Sequence, residues 1–523
     1  MPHDSLLSRR QVFAGAGGLG LLALLAACGV DDGAPDAAAS GPAKQGGTLR
    51  AGTTAPPTAV EPVTMYDGSS IALVQLVADY LIWLDDKYQL VPRLAEKWTA
   101  EDGNKRWTFT LRPGVTFSDG TPLDATAVKA SFDRLLDPKN KSAALSAFGD
   151  VLKPGGVTTK DPQTVVFTLA RAFSDFPYLV SAGNYNAVIL KADYAGDFTK
   201  NPIGTGPFLL TDYNPSTGAT FTRNPKYWQP GKPYLDGVNV RFYADSQAEQ
   251  LALQSGELDA LILTEASVIQ AAGDIALDEA ASTGMTALTL RVDRAPFDKK
   301  EVRQAVAYAL DRPSVNEAVN DGIGQLGNDH LYAPLFPSAP KDLAQRKKDP
   351  AKVKELLAAA GVPNLKFALT FDPPNKDYAL VIQAQLKEVG ITVDLDQRTS
   401  AAFYGGNQET DTPWLFTTAN LVGWAGRAVP SQFVSPMVTS TGVWNGSKYR
   451  NPAVDQALTA YDAATDDAER QKQAAIIADA LHEDVPVVLS LWNGAVRAYN
   501  KRKFRGITAH PSSYVDFSAV SSV

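Results

Sequence analysis

Residues 414–445 gather three of the eight tryptophans, Trp414, Trp424 and Trp444, around the segment Gly423-Trp424-Ala425-Gly426-Arg427. A tryptophan supplies a large apolar face with one polar tip. An arginine supplies a planar fork that pairs a carboxylate or phosphate through two parallel hydrogen bonds. Together these residue types suit a binding cleft better than bond breaking. Trp424 has only glycine and alanine beside it, so in a loop it stands uncovered unless a ligand or another part of the chain covers it. Trp414 sits in the apolar run Trp414-Leu415-Phe416 and reads as a core residue of a strand. Arg427 either faces the cleft or, as most arginines do, points into solvent.

The second chemical signal is the only cysteine. Cys28 follows Leu25-Ala26-Ala27 at the end of an apolar, glycine-rich run over residues 12–27. That run is shorter than the roughly 20 apolar residues a spanning helix needs. A lone cysteine is usually a buried thiol, but its place at the end of such a run points to cleavage before Cys28 and lipid on its sulfur. Ser8-Arg9-Arg10-Gln11-Val12-Phe13 ahead of the run has the twin-arginine export pattern. Residues 1–27 therefore read as a signal peptide. Residues 28–46, rich in Ala, Asp, Gly, Pro and Ser, read as a flexible tether to the membrane.

Catalytic patterns are missing. There is no G-x-x-x-x-G-K-[ST] and no G-x-S-x-G. Gly15, Gly17 and Gly20 match G-x-G-x-x-G only inside the signal peptide, with no preceding strand. His3, His330, His482 and His510 stand alone, so neither a metal nor a cofactor is expected. His482, near the end of a helix, suits the helix dipole. Triads are recognised by geometry and not by sequence order, so a secreted hydrolase stays open as the alternative reading. The net charge of −8 argues against a nucleic-acid partner.

The elements that must position these residues alternate between strand and helix. Strands are expected at 47–52, 106–111 and 164–169, as a hairpin at 208–213 and 219–223, and at 238–243, 286–292, 365–371, 391–395 and 485–492. Gly204, Gly206 and Pro207 mark a tight turn before the hairpin, with glycine supplying positive φ. Helices are expected at 71–84 and 247–256, after Asp124, after Asp298 with Glu301 completing a capping box, at 350–360 and 377–389, after Asn451-Pro452, and after Asp466. The unit over 365–395 reads as parallel strand–helix–strand.

Three stretches resemble the extracytoplasmic solute-binding proteins of ABC importers, in the family of dipeptide- and oligopeptide-binding proteins. They are Gly204-Thr205-Gly206-Pro207-Phe208 with the hairpin and Asn224-Pro225-Lys226-Tyr227-Trp228; residues 94–138, containing W-T-F-T-L-R-P-G-V-T-F-S-D-G-T-P-L-D-A; and residues 296–312, P-F-D-K-K-E-V-R-Q-A-V-A-Y-A-L-D-R. The resemblance implies an α/β, two-lobed periplasmic-binding-protein-like fold, of the large type II with an extra subdomain in the first lobe, hinged around a central cleft. The expected boundaries are 47–291 for the first lobe with its insertion at about 66–196, 292–490 for the second, and 491–523 for the return. Hinges are expected near 291–293 and 492–496. In peptide-binding members a G-W-x-x-D pattern recurs, and its Asp pairs with the ligand's α-ammonium. Here that position is Arg427, which reverses the charge and favours an anionic group. Thr54, Asn184, Tyr185, Asn186, Asn445 and Trp492 fall where the family lines its cleft, beside Trp424 and Trp444. The implied partners are a small peptide-like or anionic solute, permease subunits with separate ATPases, and the membrane through the lipid on Cys28. A monomer is expected, acting outside the cytoplasmic membrane, and an extracellular sensor is a further alternative.

Overall fold

Strand β1 (Thr48–Thr54) opens the fold, and the computed structural model describes residues 42–263, 271–407 and 409–523. Arg9, Arg10, the lipidation site expected at Cys28 and residues 28–41 of the expected tether lie outside the described residues. The helix expected over 71–84 is α1 (Gly68–Val77), and a short strand, Ile82–Leu84, follows it. Every residue of α1 after Gly68 is buried, so no amphipathic stripe marks where it stops.

A separate four-stranded sheet follows, built from β2 (Ala95–Glu101), β3 (Arg106–Leu111), β4 (Val157–Asp161) and β5 (Thr164–Thr168) in the order β2-β3-β5-β4. The alternation in β3 buries Trp107, Phe109 and Leu111. Helix α2 (Ala125–Leu136) packs on this sheet. Asp124 caps it by accepting from the Thr126 and Ala127 amides, and Phe132 meets Phe167 edge to face at 5.0 Å.

The hairpin forms as β6 (Phe208–Asn214) and β7 (Gly218–Arg223), and β8 (Gly237–Tyr243) joins it to β1 in parallel. The two glycines before it serve a different purpose from the one expected. Neither Gly204 nor Gly206 has positive φ. A Cβ on Gly204 would lie 2.2 Å from the Val77 carbonyl oxygen, one on Gly206 2.4 Å from the same carbonyl's carbon, and the Gly206 amide donates to that oxygen at 2.8 Å. Glycine is required there so that two backbones can touch.

The remaining principal strands are β9 (Ala260–Leu261), β10 (Ile275–Leu290), β11 (Lys366–Phe371), β12 (Thr392–Gln397), β13 (Ala419–Trp424) and β14 (Leu491–Asn500). They extend the main sheet in the order β12-β11-β13-β10-β14-β9-β1-β8-β7-β6, with Gln325–Leu326 and Val487–Val488 attached at its middle. β11 and β12 run parallel, joined by the helix Lys376–Glu388, as the sequence predicts. The strand expected at 286–292 is only the end of β10, and the one expected at 485–492 is split between Val487–Val488 and β14.

β10 and β14 pair antiparallel from Ile275 opposite Asn500 to Met285 opposite Trp492, with a break in register between Ala281 and Met285. On one side of this break lies a core that includes Leu49, Phe109, Phe167 and Val238, to which Phe504, Tyr514 and Phe517 return from the C-terminus. On the other side lie cores built on Leu288, Phe367 and Leu421 and on Met285, Phe433 and Trp492. Residues 291–293 sit wholly within the second half. The Arg291 amide donates to the Thr418 carbonyl, the Val292 amide donates to the Ser447 carbonyl, and the Arg291 guanidinium binds Asp293 through two hydrogen bonds.

Two local expectations fail for plain reasons. Residues 414–416 belong to a short helix, Pro413–Phe416, because Pro413 presets its first turn. The helix after Asp298 starts at Lys300 with Lys299 as its cap and no side-chain cap bond, since Asp298 is already in a turn, its amide donating to the Arg294 carbonyl. Three helices matter below: α3 (Ser431–Val438), α4 (Pro452–Ala463) and α5 (Asp467–Asp484).

Candidate functional site

Where the two halves face each other, a cavity of about 360 Å³ opens. Residues 146–151, Arg171, Phe173 and Leu179 form one wall, and Arg427, the first turns of α3 and residues 441–444 form the other. Chain folding places Arg427 tightly. Its amide donates to Thr283 Oγ1 at 2.9 Å, and the same hydroxyl donates back to the Arg427 carbonyl at 2.7 Å. Thr283 lies in the register break of β10, so the loop after β13 is pinned to the point where the two halves join. Ala428 and Val429, next along, pack against Leu84 and Tyr88 of the first half.

The Arg427 side chain is half-buried and makes no hydrogen bond or ion pair among the described residues. It faces Tyr185, whose hydroxyl is pushed up by burial and pulled back by the Arg427 guanidinium. Beside it, Ser431 Oγ and Gln432 Oε1 are buried without a partner among the described residues. Both belong to the first turn of α3, which has no side-chain cap. The Gln432, Phe433 and Val434 amides of that turn already donate to the Val429 and Pro430 carbonyls, so the turn offers side chains rather than free amides. A guanidinium and a hydroxyl thus converge on one cavity wall, with Phe148, Phe173 and Trp444 offering apolar surface.

Trp424 is not the uncovered loop residue its neighbours suggest. It is the last residue of β13, opposite Met285. Trp414 and Trp444 cover it, with ring centroids 6.1 and 5.8 Å away. The indole N–H groups of Trp414 and Trp424 are buried with no acceptor. Thr54 ends β1, half-buried, with Oγ1 3.3 Å from Ser69 Oγ.

Four residues expected along the cleft are committed elsewhere. Asn184 donates to the Leu179 carbonyl at 3.0 Å and closes a turn. Asn186 donates to the Pro62 and Met65 carbonyls at 2.9 and 3.0 Å. Asn445 donates to the Thr439 and Tyr449 carbonyls and accepts from Ser447, all at 2.8–2.9 Å. Trp492 is 0% exposed and packs on Phe433. A buried amide must spend its hydrogen bonds locally, so these side chains hold loops in shape. Asp150, Arg171, Ser431 and Gln432 were not foreseen. Pro430 marks the start of α3, but Asp150 and Arg171 reach the cavity only through tertiary packing.

Among the described residues, no three of His, Cys, Asp and Glu come together as metal ligands, and no helix is long and apolar enough to cross a membrane.

The model of bacterial extracellular solute-binding proteins, family 5 (middle), matches residues 89–445. The chain is 28% identical over 469 residues to the glutathione-binding protein GsiB of Escherichia coli strain K12, covering 85% of this chain and 88% of that protein. Among solved structures, the ABC transporter substrate-binding protein CtaP of Listeria monocytogenes aligns with a TM-score of 0.78 at 26% identity, over 92% of this chain and 100% of CtaP. AgaA of A. tumefaciens R10, in complex with agropinic acid, aligns with a TM-score of 0.71 at 25% identity, over 91% of this chain and 99% of AgaA.

Proposed function

This chain belongs to the bacterial extracellular solute-binding proteins of family 5 and is the solute-binding component of an ABC importer; we propose that its solute is a small organic acid or an acid-bearing, peptide-like molecule whose anionic group rests on Arg427. The observation that carries this reading is the unpaired Arg427 guanidinium in the cavity wall, beside the partnerless Ser431 hydroxyl. Two relatives lend support by the chemistry of their ligands. GsiB is named for glutathione and AgaA holds agropinic acid, both carboxylic acids.

The mechanism is capture without covalent change. The first lobe carries β1 and the β6–β8 hairpin sheet, and the second carries β11–β13 and α3–α5. The lobes turn about the paired strands β10 and β14, with the hinge at Ser282–Gly284 and Asn493–Gly494, where the register breaks. Closure brings the wall at 146–151 onto Arg427, and desolvation strengthens the ion pair. Burial against Phe148, Phe173 and Trp444 supplies the rest of the affinity. The loaded protein then docks on permease subunits driven by separate ATPases. We place the chain outside the cytoplasmic membrane as a monomer, exported by the twin-arginine route and held by lipid on Cys28. Titration calorimetry with glutathione and with agropinic acid, on the wild type and on Arg427→Ala, tests the reading. Binding of either acid that weakens in the variant supports it, and affinity unchanged by the substitution removes Arg427 from the site.

A further inference from the structure

Beside the cavity, the first half reaches across to α4 and α5 a second time. The Ser174 amide donates to the Asp462 carbonyl at 2.7 Å, and Asn104 Nδ2 donates to the Ala464 carbonyl at 3.0 Å. Around these bonds stand two ion pairs in crossed order. Arg171 of the first half binds Asp462 of the second at 2.7 Å, and Asp175 of the first half binds Arg470 of the second, whose Nη2 also donates to the Tyr461 hydroxyl at 3.1 Å. The Asp462 and Asp175 side chains are 4% and 1% exposed. One oxygen of each, Asp462 Oδ1 and Asp175 Oδ2, is buried with no donor among the described residues. Arg171 also binds the exposed Asp150 at 2.9 Å, and this pair lines the cavity wall. Asp462, Asp175 and Asp150 therefore meet two guanidiniums, and Asp467 adds its charge beside Asp175, leaving negative charge in excess.

We propose that these crossed pairs form a proton-linked latch between the lobes, which assembles as they close and takes up a proton at Asp462. Buried ion pairs give little net stability, because desolvation offsets attraction, whereas removing one partner strands the other charge. The latch therefore makes closure conditional. The cluster favours a proton when shut, because it is anionic, buried and short of donors. Burial pushes the Asp462 carboxyl up from its ordinary 3.8 to about 7; Arg171 opposes this, while Asp175 and Asp150 add to it. Burial raises Asp175 as well, against the pull of Arg470 and the Tyr461 hydroxyl, and Asp467 adds to the rise. Tyr332 faces both aspartates, and burial raises its hydroxyl well above the ordinary range, so it stays neutral. With the lobes apart, Asp462 is solvated and titrates as an ordinary aspartate. A group whose pKa is higher in the closed state favours closure at low pH and loses that effect as pH rises through about 7. For a single proton, linkage makes closure about tenfold more favourable at pH 6 than at pH 8.

Hydrogen exchange at the Ser174 amide reads the latch directly in the purified protein with no solute added, so its outcome does not depend on the role of Arg427. Protection, corrected for the intrinsic rate at each pH, is expected to rise about tenfold from pH 8 to pH 6. Asp462→Asn, nearly isosteric, should show the acid level of protection at both pH values. Arg470→Ala, which strands Asp175, should lose protection at both. A Ser174 amide unprotected at either pH, protection in the wild type that ignores pH, or a pH dependence that survives in Asp462→Asn overturns the proposal. The asparagine variant decides the matter even if Arg470→Ala does not fold.

Discussion

Arg427 owes its position to its backbone, bonded twice to Thr283, and its capacity to bind to its side chain, which has no partner among the described residues. Losing one member of a desolvated charge pair costs roughly 2–5 kcal/mol. Arg427→Ala should then weaken an acidic solute at least tenfold, since each factor of ten is about 1.4 kcal/mol. Arg427→Asp should weaken it further, and calorimetry reads both. The small neighbours drew attention to Arg427, which does line the cavity, but misled for Trp424, which ends a strand under Trp414 and Trp444. Asn184, Asn186 and Asn445 were misread because nothing in a sequence says where a buried amide finds its carbonyl. His510 shows the same limit. Its Nδ1 accepts from the Ser512 amide and its Nε2 faces the Leu84 carbonyl at 2.9 Å, which together demand the neutral ring. Burial lowers its pKa from 6.5 to about 4. A depressed value gives stability that is present above 6.5 and lost as pH falls toward 4. Asp462 acts in the opposite direction over the same range, so the test is comparative: on going from pH 7 to pH 5 the melting temperature of His510→Gln should fall less, or rise more, than that of the wild type, and an identical slope in the variant would clear His510 of the effect. Cys28 belongs to this scale too. Cys28→Ala should leave the protein out of the membrane fraction, and a variant that stays membrane-bound would contradict the lipid anchor.

Gly204 and Gly206 seat the hairpin sheet on α1 through the carbonyl of Val77, a close approach no local pattern reveals. Overpacking typically costs about 1–3 kcal/mol, and here the clash is with backbone, which cannot rotate away. Gly206→Ala should lower the melting temperature by several degrees. Gly231, in positive φ with nothing within 4 Å of where a Cβ would stand, tests conformation alone and should lose less on the same substitution. Equal losses at the two sites would refute the close-approach account. The hairpin, β3, α2 and the β11–helix–β12 unit were readable because each has one wet face, so period and burial agree. β10 was mostly missed. Over Asp278–Gly284 it carries Ala, Ser, Thr and Gly with little alternation, because it is paired along its length and then broken for the turn between lobes.

For the molecule as a whole, one sheet runs through both lobes, so closure must be carried by the single pair β10 and β14 rather than by a loose linker. Family-like stretches made the two-lobed architecture legible, but the seam between the lobes was not, since residues 291–293 proved to be fixed inside the second half. The central claim is that the protein holds one acidic solute and releases it unaltered. Native mass spectrometry of the protein purified from its own cells tests this most directly. One small acid bound per chain, released unchanged on denaturation and absent from Arg427→Ala, is the expected result. A bound molecule that is cationic or neutral, or one that is converted to another mass on incubation, would contradict it.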